Sequence, residues 1–405
     1  MILVVNFGSS SFKFKIFNSN VTKTLLQGIC ERIGNESGLI FYKTEKNELK
    51  RKIIFKNHRD AFFIVKNMLQ EPKIGILKDF SEIKAIGHRI VHGGTFFNNT
   101  VLINEDVIEK IKDLIPLAPI HNFANLEGIL DCQEAFGNTP QFAVFDTSFF
   151  SKLPQVSSVF AIPWDLAEKY KIKKYGFHGI SHQWADFRYR LAKNETKQFN
   201  FIKEALNLKV ITCHLGSGSS IALIIDGIPI ETSMGLTPLG GIVMGTRCGS
   251  IDPSVITYLM EKENLSTSEI DEILNKKSGI LGISGVSDDV RIVLGKSKEN
   301  KRCRIAIDVF CRQIIKFIGA YSALAGGIDA LVFTGGIGEN RPEIREKICE
   351  NLGFLGIKLD HEINYRIIDK KEGLISVDSK TDVFIAQTDE EKSIAIEIVK
   401  NLNYS

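Results

Sequence analysis

The sequence lacks the features that mark membrane-embedded and exported proteins. Among its 405 residues, the longest stretch without Asp, Glu, Lys or Arg runs only from Val210 to Ile225, and it contains a histidine and a Gly/Ser cluster. Such a stretch is too short and too polar for a transmembrane helix. The first residues, MILVVNFGSS, place no basic segment ahead of an apolar one. We therefore expect neither export nor membrane association.

The sequence also lacks a surplus of one charge and a cysteine framework. Lys and Arg number 51 against 48 Asp and Glu, a formal net charge of +3, which argues against a nucleic-acid partner. The seven cysteines form no CxxC pair and their number is odd, so we predict reduced thiols and a cytoplasmic location. The length predicts two to three domains.

Two common nucleotide-binding motifs are missing. No GxxxxGK[ST] sequence occurs, and GGIGEN at 335–340 departs from GxGxxG because Arg341 stands where the third glycine would be. What remains at 335–340 is a predicted turn between a strand and a helix. Its glycines either allow a flat ligand to approach the backbone closely or simply end the strand.

Two pairs of histidines, 88 with 92 and 178 with 182, have the spacing of zinc ligands on a helix. Neither pair belongs to an HExxH motif, and the flanking glycines disfavour a helix. The sequence therefore favours structural or substrate-contacting histidines, with a zinc hydrolase as the alternative.

A local pattern occurs twice, half a chain apart. Residues 2–17 and 210–225 each consist of an apolar strand, a polar residue, a Gly/Ser turn and a second strand. In this alignment Asn6 matches His214, Gly8 matches Gly216, and Ser11 matches Ser219. The pattern predicts two related halves that each open with a hairpin whose turn suits phosphate, unless the two hairpins are a coincidence.

Alternating segments elsewhere indicate an α/β protein. Residues 61–69 and 105–115 have helical periodicity, whereas 82–94 and 140–150 resemble strands that run into loops. The segment 304–327 predicts a long helix that two glycines end, followed by a strand at 329–334. Pro342 then begins a predicted helix with Ile344, Ile348 and Leu352 on one stripe and Gly353 as its end.

Several charged residues occupy positions typical of functional sites. Arg89 and Arg247 lie in Gly-rich, apolar surroundings and need anionic partners, either a structural carboxylate such as Asp252 for Arg247 or an oxyanion substrate. Asp146 follows a predicted strand at its carboxyl end, where α/β sheets expose chemistry. Glu390 begins the last predicted helix, a favourable place for an acid whether or not it has a function.

Together these motifs resemble those of the acetokinase family. They are N-x-G-S-S-S-x-K, HRIVHGG, PIHN at 119–122, FDTSF, YGFHGISH, HLGSGSS, MGLTPLGG with MGTR, FTGGIGEN and TDEE. Their order extends from Asn6 to Glu391, nearly the whole chain. The resemblance implies an α/β, two-domain, duplicated actin/hexokinase-like (ASKHA, ribonuclease H-like) fold with the active site in the interdomain cleft.

The resemblance also implies a domain division and an activity. Residues 1–148 plus 386–405 would form the N-terminal half, which binds the acyl group and magnesium, and 149–385 the C-terminal half, which binds the nucleotide and dimerises. The implied reaction is ATP + acetate ⇌ ADP + acetyl phosphate, with Mg²⁺, or Mn²⁺ as a substitute, as cofactor. A cytoplasmic homodimer without nucleic-acid or membrane partners is implied as well.

Roles can be carried over residue by residue. The resemblance assigns catalysis to Asp146, His178 and Arg247, and magnesium binding to Asn6 and Glu390. The substrate would contact Arg89, Val91, Ile120, His121 and Pro238. The nucleotide would contact Lys13, His214, Leu215, Gly216, Ser217, Gly218, Asp289, Val290, Arg291, Gly336, Ile337, Gly338, Glu339 and Asn340.

The chemistry fits these residue types. A carboxylic acid is ionised at pH 7, so the attack needs no general base, and the difficulty is to bring two anions together. Arginines, a histidine and Mg²⁺ supply the positive charge that this requires. We therefore interpret Asp146 chiefly as a residue that holds Mg²⁺ or its water.

Six positions depart from the family pattern, and three other functions stay open. The departures, which place phosphoryl-donor affinity in question, are Phe123, Ile180, Ser217, Gly240, Cys248 and Ser250. A propionate or butyrate kinase would need a roomier acyl pocket, whereas Val91 favours acetate. A pyrophosphate-dependent relative and a nucleotide-gated binding protein without an acyl acceptor are the remaining alternatives.

Overall fold

The computed structural model describes residues 1–8, 10–194, 207–369 and 371–403, which form two compact units. The first unit comprises Met1–Ser151 and Asp389–Ser405, and the second comprises Lys152–Thr388. The sequence had placed these boundaries at about 148 and 386. The functional roles of the two halves stay predictions.

Within the described residues, the first unit is built on a mixed sheet of eight strands. The strands are β1 (Ile2–Phe7), β2 (Ser11–Phe17), β3 (Thr24–Glu31), β4 (Leu39–Thr44), β5 (Glu48–Lys52), β6 (Ala85–Ile90), β7 (Val101–Leu102) and β8 (Gln141–Phe145). Their spatial order is β5-β4-β3-β2-β1-β6-β8-β7. Strands β1, β6 and β8 are parallel, while β2 is antiparallel to β1. The carboxyl ends of the three parallel strands therefore meet at one edge.

Helices cover both faces of this sheet. They are α1 (His58–Met68), α2 (Glu105–Asp113), α3 (Pro119–Phe136) and, from the end of the chain, α15 (Glu390–Asn403). On β2, Phe12, Phe14 and Ile16 are buried on one face while Lys13 is exposed. Phe7, Phe12 and Phe62 pack together beneath α1, which shows where part of the abundant phenylalanine is used. Helix α15 packs on β1 and β6, where a Cβ on Gly87 would collide with Ile394 and Ile398.

The described part of the second unit has a sheet of six strands. They are β9 (Lys209–Leu215), β10 (Ser219–Ile225), β11 (Ile228–Thr232), β12 (Ala330–Thr334), β13 (Gly373–Leu374) and β14 (Asp382–Ile385), in the order β11-β10-β9-β12-β14-β13. The helices are α4 (Gln155–Ser158), α5 (Trp164–Tyr170), α6 (Gly179–Asn194), α7 (Pro253–Glu263), α8 (Thr267–Glu272), α9 (Gly279–Ser284), α10 (Val290–Lys296), α11 (Lys301–Ala325), α12 (Gly335–Asn340), α13 (Pro342–Cys349) and α14 (His361–Arg366). Helix α11 forms the centre of this unit's core and ends at Gly326, whose left-handed backbone caps it.

The two sheets share a topology. In the first, β3-β2-β1-β6-β8 are neighbours, and in the second β11-β10-β9-β12-β14 are neighbours. In each set the first hairpin is antiparallel, and its first strand is followed by two parallel strands. The duplicated hairpin pattern in the sequence thus corresponds to a duplicated sheet.

Two local predictions near the end of the chain are wrong. Residues 335–340 form the short helix α12 instead of a turn, since β12 ends at Thr334 and the helix begins at once. Helix α13 ends at Cys349, so Leu352 lies beyond it and Gly353 begins a 3₁₀ turn. Leu352 is nevertheless buried in the same core as Ile344 and Ile348, which explains the apparent stripe.

Neither a membrane span nor a disulfide appears in the described ranges. No helix there combines the length and the apolar character needed to cross a bilayer. All seven cysteines are free thiols, and only Cys248 is not fully buried.

Candidate functional site

In the first unit, three candidate residues lie where the parallel strands end. Asn6 is the next residue after Val5, which pairs with His88 of β6, and Asp146 donates its backbone N–H to Ile90 O at 2.9 Å. Asn6 and Asp146 are buried, with 7% and 1% of their surface exposed. The parallel register thus brings Asn6, Arg89 and Asp146 to one edge of the sheet.

Arg89 bridges two carboxylates. Its Nε and one terminal nitrogen donate to Asp146 at 3.1 and 2.7 Å, and its other terminal nitrogen lies 3.0 Å from Glu390 Oε2. Burial disfavours the charge of Arg89, but Asp146 and Glu390 outweigh burial and raise its pKa. The anionic partners that the sequence required are therefore protein carboxylates, and their contacts use only part of the N–H donors of a guanidinium.

Helix α3 holds the loop that follows Arg89. Asn125 Oδ1 accepts the N–H of Val91 at 3.1 Å, and Asn122 exchanges hydrogen bonds with the backbone N–H and carbonyl of His92. Thr147 Oγ1 accepts the N–H of Gly93 at 2.9 Å. Sequence reasoning missed Asn125 and Thr147. Their signals were the one-turn spacing from Asn122 and the position directly after Asp146.

The other candidates of this unit occupy mixed environments. Lys13 lies opposite Asn6 in the β1–β2 hairpin and is exposed. Val91 is half-buried beside Arg89, and His121 is half-buried in the first turn of α3. The side chain of Ile120 lies outside what the structure describes.

The residues of this edge fit a divalent cation. Carboxylate and amide oxygens, as on Asp146, Glu390 and Asn6, are the ligands that Mg²⁺ prefers. The described residues contain no group of three or more His, Cys, Asp or Glu arranged to hold a metal. A few protein oxygens with water and phosphate completing the shell is the usual pattern for Mg²⁺.

In the second unit, histidines gather behind the β9–β10 hairpin. The rings of His178 and His214 stack with centroids 4.2 Å apart, and His178 Nδ1 lies 2.9 Å from Ser220 Oγ. His182 contacts Thr212 and Ser220, each at 2.7 Å, and burial lowers its pKa well below the ordinary value. His178 itself adopts a left-handed backbone, with φ of 56°, immediately before α6. This unusual conformation holds its ring against the hairpin.

Arg247 reaches the same hairpin. A Cβ on Gly218 would lie 3.2 Å from the His178 ring and 3.6 Å from a terminal nitrogen of Arg247. Arg247 donates to Pro238 O at 2.9 Å, and within the described ranges no carboxylate pairs with it. Asp252, the carboxylate considered as its structural partner, instead caps α7 by accepting the N–H of Ser254. Burial lowers the pKa of Arg247, because no anion compensates its charge.

A cavity of about 790 Å³ opens beside this hairpin. Its size falls within the range of small-molecule and cofactor sites. Predicted nucleotide residues supply much of the lining: Gly216, Ser217, Asp289, Val290, Arg291, Gly336, Ile337, Glu339 and Asn340. Asp288, Arg341, Asp369, Gln387 and Thr388 complete it and were missed. Thr388 opens the TDEE motif, and Asp288, Arg341 and Gln387 each adjoin a motif residue, which is the signal that could have found them. His214, Leu215, Gly218 and Gly338 lie in the adjoining hairpin and helix.

Backbone constraints shape the floor of the cavity. Gly335 has φ of 80°, and a Cβ there would lie 2.6 Å from Leu215 O, so only glycine fits. Glu339 accepts from the backbone N–H and hydroxyl of Thr388, and this hydroxyl accepts the N–H of Gly335. A Cβ on Gly336 would meet open space, which leaves that backbone accessible to a ligand.

Arg345, on helix α13, donates hydrogen bonds to the last turn of α12. It is fully buried and donates to the carbonyls of Gly338 and Glu339 at 2.8 Å, and to Asn364 at 2.7 and 2.8 Å. Burial lowers its pKa to about 10. Sequence reasoning missed Arg345, since an arginine in a helix with polar neighbours ordinarily indicates a solvated face.

The sequence model of the Acetokinase family matches residues 1–396. This chain belongs to the acetokinase family. The acetate kinase of Thermoanaerobacterium thermosaccharolyticum is 48% identical to it over 397 residues, which cover 97% of each chain.

Solved structures of acetokinases agree. The crystal structure of Porphyromonas gingivalis acetate kinase superposes with a TM-score of 0.88 at 39% identity and covers 99% of both chains. A propionate kinase from Francisella tularensis gives a TM-score of 0.87 at 41% identity over 98% of both. The predicted family and the predicted α/β class are confirmed. An acetokinase is a kinase, so a nucleotide is its co-substrate.

Proposed function

We propose that this acetokinase transfers the γ-phosphoryl group of ATP to acetate, reversibly, and yields ADP and acetyl phosphate. The observation that carries the proposal is the nucleotide-sized cavity beside a hairpin on which His178 and an uncompensated Arg247 converge. A cavity lined by a hairpin that also contacts a partly buried arginine without a carboxylate partner in the described residues suits a polyphosphate.

In the proposed reaction, an acetate oxygen attacks the γ-phosphorus while the bond to the β–γ bridging oxygen breaks, and ADP leaves with that electron pair. Arg89 holds the acetate carboxylate with its remaining N–H donors, and the family resemblance assigns the acyl contacts to Val91, Ile120, His121 and Pro238. Arg247 and His178 stabilise charge on the equatorial phosphoryl oxygens. Backbone N–H groups at Gly216–Gly218 hold the phosphates, and Lys13, Asp289 and Gly336–Asn340 contact the nucleotide.

Asn6, Asp146 and Glu390 would hold Mg²⁺, with Mn²⁺ as a substitute. When bound, this cation neutralises part of the phosphate charge that repels the incoming carboxylate. The surrounding charges support the assignment. Arg89 contacts both Asp146 and Glu390, so one cation lies beside two carboxylates, and negatively charged oxygens are the ligands that Mg²⁺ prefers.

The acyl group is tested by trapping acyl phosphate with hydroxylamine. ATP and Mg²⁺ are supplied with formate, acetate, propionate or butyrate in parallel. We expect the largest rate with acetate and a rate that falls with each added methylene, each worth roughly 1–3 kcal/mol of discrimination. A maximum with propionate would instead support the second candidate, a propionate kinase, the activity for which the similar Francisella protein is named. No hydroxamate from any acid would contradict both.

We further propose a cytoplasmic homodimer joined through the second unit. Exposed large apolar side chains concentrate in two stretches of that unit and would bury apolar surface in an interface. They are Val156, Val159, Ile162, Trp164, Leu166 and Tyr170, followed by Ile251, Val255 and Tyr258. Light scattering on wild type and on Trp164→Glu tests this interface, since the variant should shift to monomer. A wild type that is monomeric at micromolar concentration would contradict it.

A further inference from the structure

Lys15 is a half-buried lysine that no proposed role yet includes. It lies on β2 two residues after Lys13, on the face opposite to Phe12, Phe14 and Ile16, and pairs in register with Val4 of β1. Helix α15 packs on this face. Only 18% of the Lys15 side chain is exposed, so its ammonium group has been taken largely out of water. A buried charge of this kind requires partners.

Its partners are two carboxylates of the TDEE motif. Lys15 Nζ lies 2.6 Å from Asp389 Oδ1 and 3.2 Å from Glu391 Oε2. These residues flank Glu390 on both sides in the chain. Glu390 contacts Arg89 and not Lys15, because neighbouring residues on a helix point in different directions. The first turn of α15 is thus held by Lys15 on one side and by Arg89 on the other.

The Lys15 contact also reaches the backbone of α15. Asp389 Oδ1, the atom that Lys15 contacts, also accepts the N–H of Lys392, and Asp389 O accepts the N–H of Ser393. Asp389 therefore caps the helix in the manner of an N-cap residue. Lys15 thus contacts the same carboxylate oxygen that caps the helix, one residue before Glu390.

Three consecutive acidic residues at the start of a helix repel one another unless cations compensate them. The contacts of Lys15 with Asp389 and Glu391 supply this compensation on one side of the turn, and the contact of Arg89 with Glu390 supplies it on the other.

We propose that Lys15 is a positioning residue, which ties Asp389 and Glu391 so that Glu390 presents its carboxylate to the divalent cation. This inference rests on the proposed function in one respect, the assignment of Glu390 as a metal-holding residue. Beyond that function, it assigns to Lys15, on strand β2, a role in orienting Glu390 of helix α15.

A positioning role can be separated from a simple effect of charge, because the two predict opposite changes in cation affinity when Lys15 is removed. If Lys15 acted only through its charge, Lys15→Met would make the site more negative and would strengthen cation binding. If Lys15 positions Glu390, the same variant weakens binding, by roughly tenfold, the lower end of losses seen when groups that orient metal ligands are removed. Lys15→Arg keeps both contacts possible and should remain within about twofold of wild type.

A charge-balanced variant provides the matched control. Lys15→Met/Asp389→Asn removes one positive and one negative charge, so the net charge is unchanged while the contact is lost. Positioning predicts that its cation binding stays weak, whereas a charge effect predicts a return to the wild-type value. Because it leaves fewer unpaired buried carboxylates than Lys15→Met, this variant carries the test if Lys15→Met alone fails to fold.

The measurement is Mn²⁺ binding to the full-length chain, followed by electron paramagnetic resonance with ADP present, together with thermal unfolding of each variant. Lys43→Met, which removes an exposed ion pair with Glu48 in the same unit, is the control for losing a lysine. Weakened binding in Lys15→Met and in the double variant, with rescue by Lys15→Arg, supports the inference. Equal or tighter binding in Lys15→Met, or recovery in the double variant, overturns it.

Its failure is distinguishable from failure of the proposed function. A wild type that binds Mn²⁺ and forms acyl hydroxamate, with unchanged Lys15 variants, overturns the role of Lys15 alone. A wild type that forms hydroxamate but binds no Mn²⁺ overturns the metal assignment of Glu390 and the Lys15 inference with it. A wild type that does neither overturns the proposed function first.

Discussion

The two units share a sheet topology, but Arg247 and Arg345 of the second lie in surroundings different from those of Arg89 and Lys15 of the first. In the first, Arg89 contacts Asp146 and Glu390, and Lys15 contacts Asp389 and Glu391. In the second, Arg247 and Arg345 donate to carbonyl oxygens and a neutral amide. Arginine among carboxylates leaves the carboxylates in excess and suits a cation, whereas arginine among neutral oxygens keeps its whole charge for an anion. The same sheet topology thus carries a cation among carboxylates in one unit and arginines among neutral oxygens in the other.

The largest expected effect on stability is at Arg89. Arg89→Ala leaves Asp146 and Glu390 buried without their partner, and breaking a buried ion pair in this way costs about 3–5 kcal/mol. Urea unfolding should show this loss, and added Mg²⁺ should recover part of it. Lys43→Ala, at an exposed pair, should change the unfolding free energy by at most ~1 kcal/mol. Equal losses in the two variants would contradict the comparison.

Arg247→Ala, in contrast to Arg89→Ala, should lower kcat while leaving stability nearly unchanged. No carboxylate in the described structure depends on Arg247, so its removal should leave the unfolding free energy nearly unchanged. Loss of one group that stabilises transition-state charge typically lowers kcat by ~10²–10³-fold, and that is the expected result in the hydroxamate assay. A large loss of stability with kcat retained would assign Arg247 a structural role.

A variant of Arg345 tests whether a buried arginine that donates to backbone carbonyls supports nucleotide binding. Arg345→Met leaves the carbonyls of Gly338 and Glu339 unsatisfied, and we expect a loss of about 2–3 kcal/mol in unfolding free energy. Because these carbonyls end α12, the KM for ATP should rise more than the KM for acetate. Arg312→Met, at an exposed arginine of α11, serves as the control. An unchanged KM for ATP would separate Arg345 from nucleotide binding.

The smallest effect concerns pH and His88. Burial lowers the pKa of His88 to about 4, and Gln141 contacts its Nε2 at 2.6 Å. In the unfolded chain the His88 ring becomes protonated near the ordinary pKa of about 6.5, whereas in the folded chain it becomes protonated only near pH 4. Stability from this group is complete above pH 6.5 and falls as pH decreases, by about 2 kcal/mol between pH 7 and 5. His88→Gln should lose correspondingly less stability over that interval, and identical losses would contradict the burial argument.

Local patterns in the sequence were sufficient for the elements that carry the site. The hairpins at 2–17 and 210–225, the strand before Asp146, and the last helix at Glu390 all occur where the periodicity and turn residues place them. The two wrong local predictions, the turn at 335–340 and the end of the helix that begins at Pro342, both involve contacts with residues outside the predicted element. Residues 335–340 form a helix whose last carbonyls accept hydrogen bonds from Arg345 of the following helix. Leu352 seemed helical because it packs in the same core as the helix before it.

The sequence by itself determined the family, the α/β class and the residue types of the chemistry, because motif spacing and strand alternation are local properties. Only the tertiary structure decided which charges meet. Arg89 finds Glu390 across some 300 residues, and Lys15 finds Asp389 across 374, while Arg247 meets no carboxylate at all in the described residues. Such pairs depend on strand order and helix packing, which bring distant residues together by burying apolar faces and not by any signal near the charges themselves.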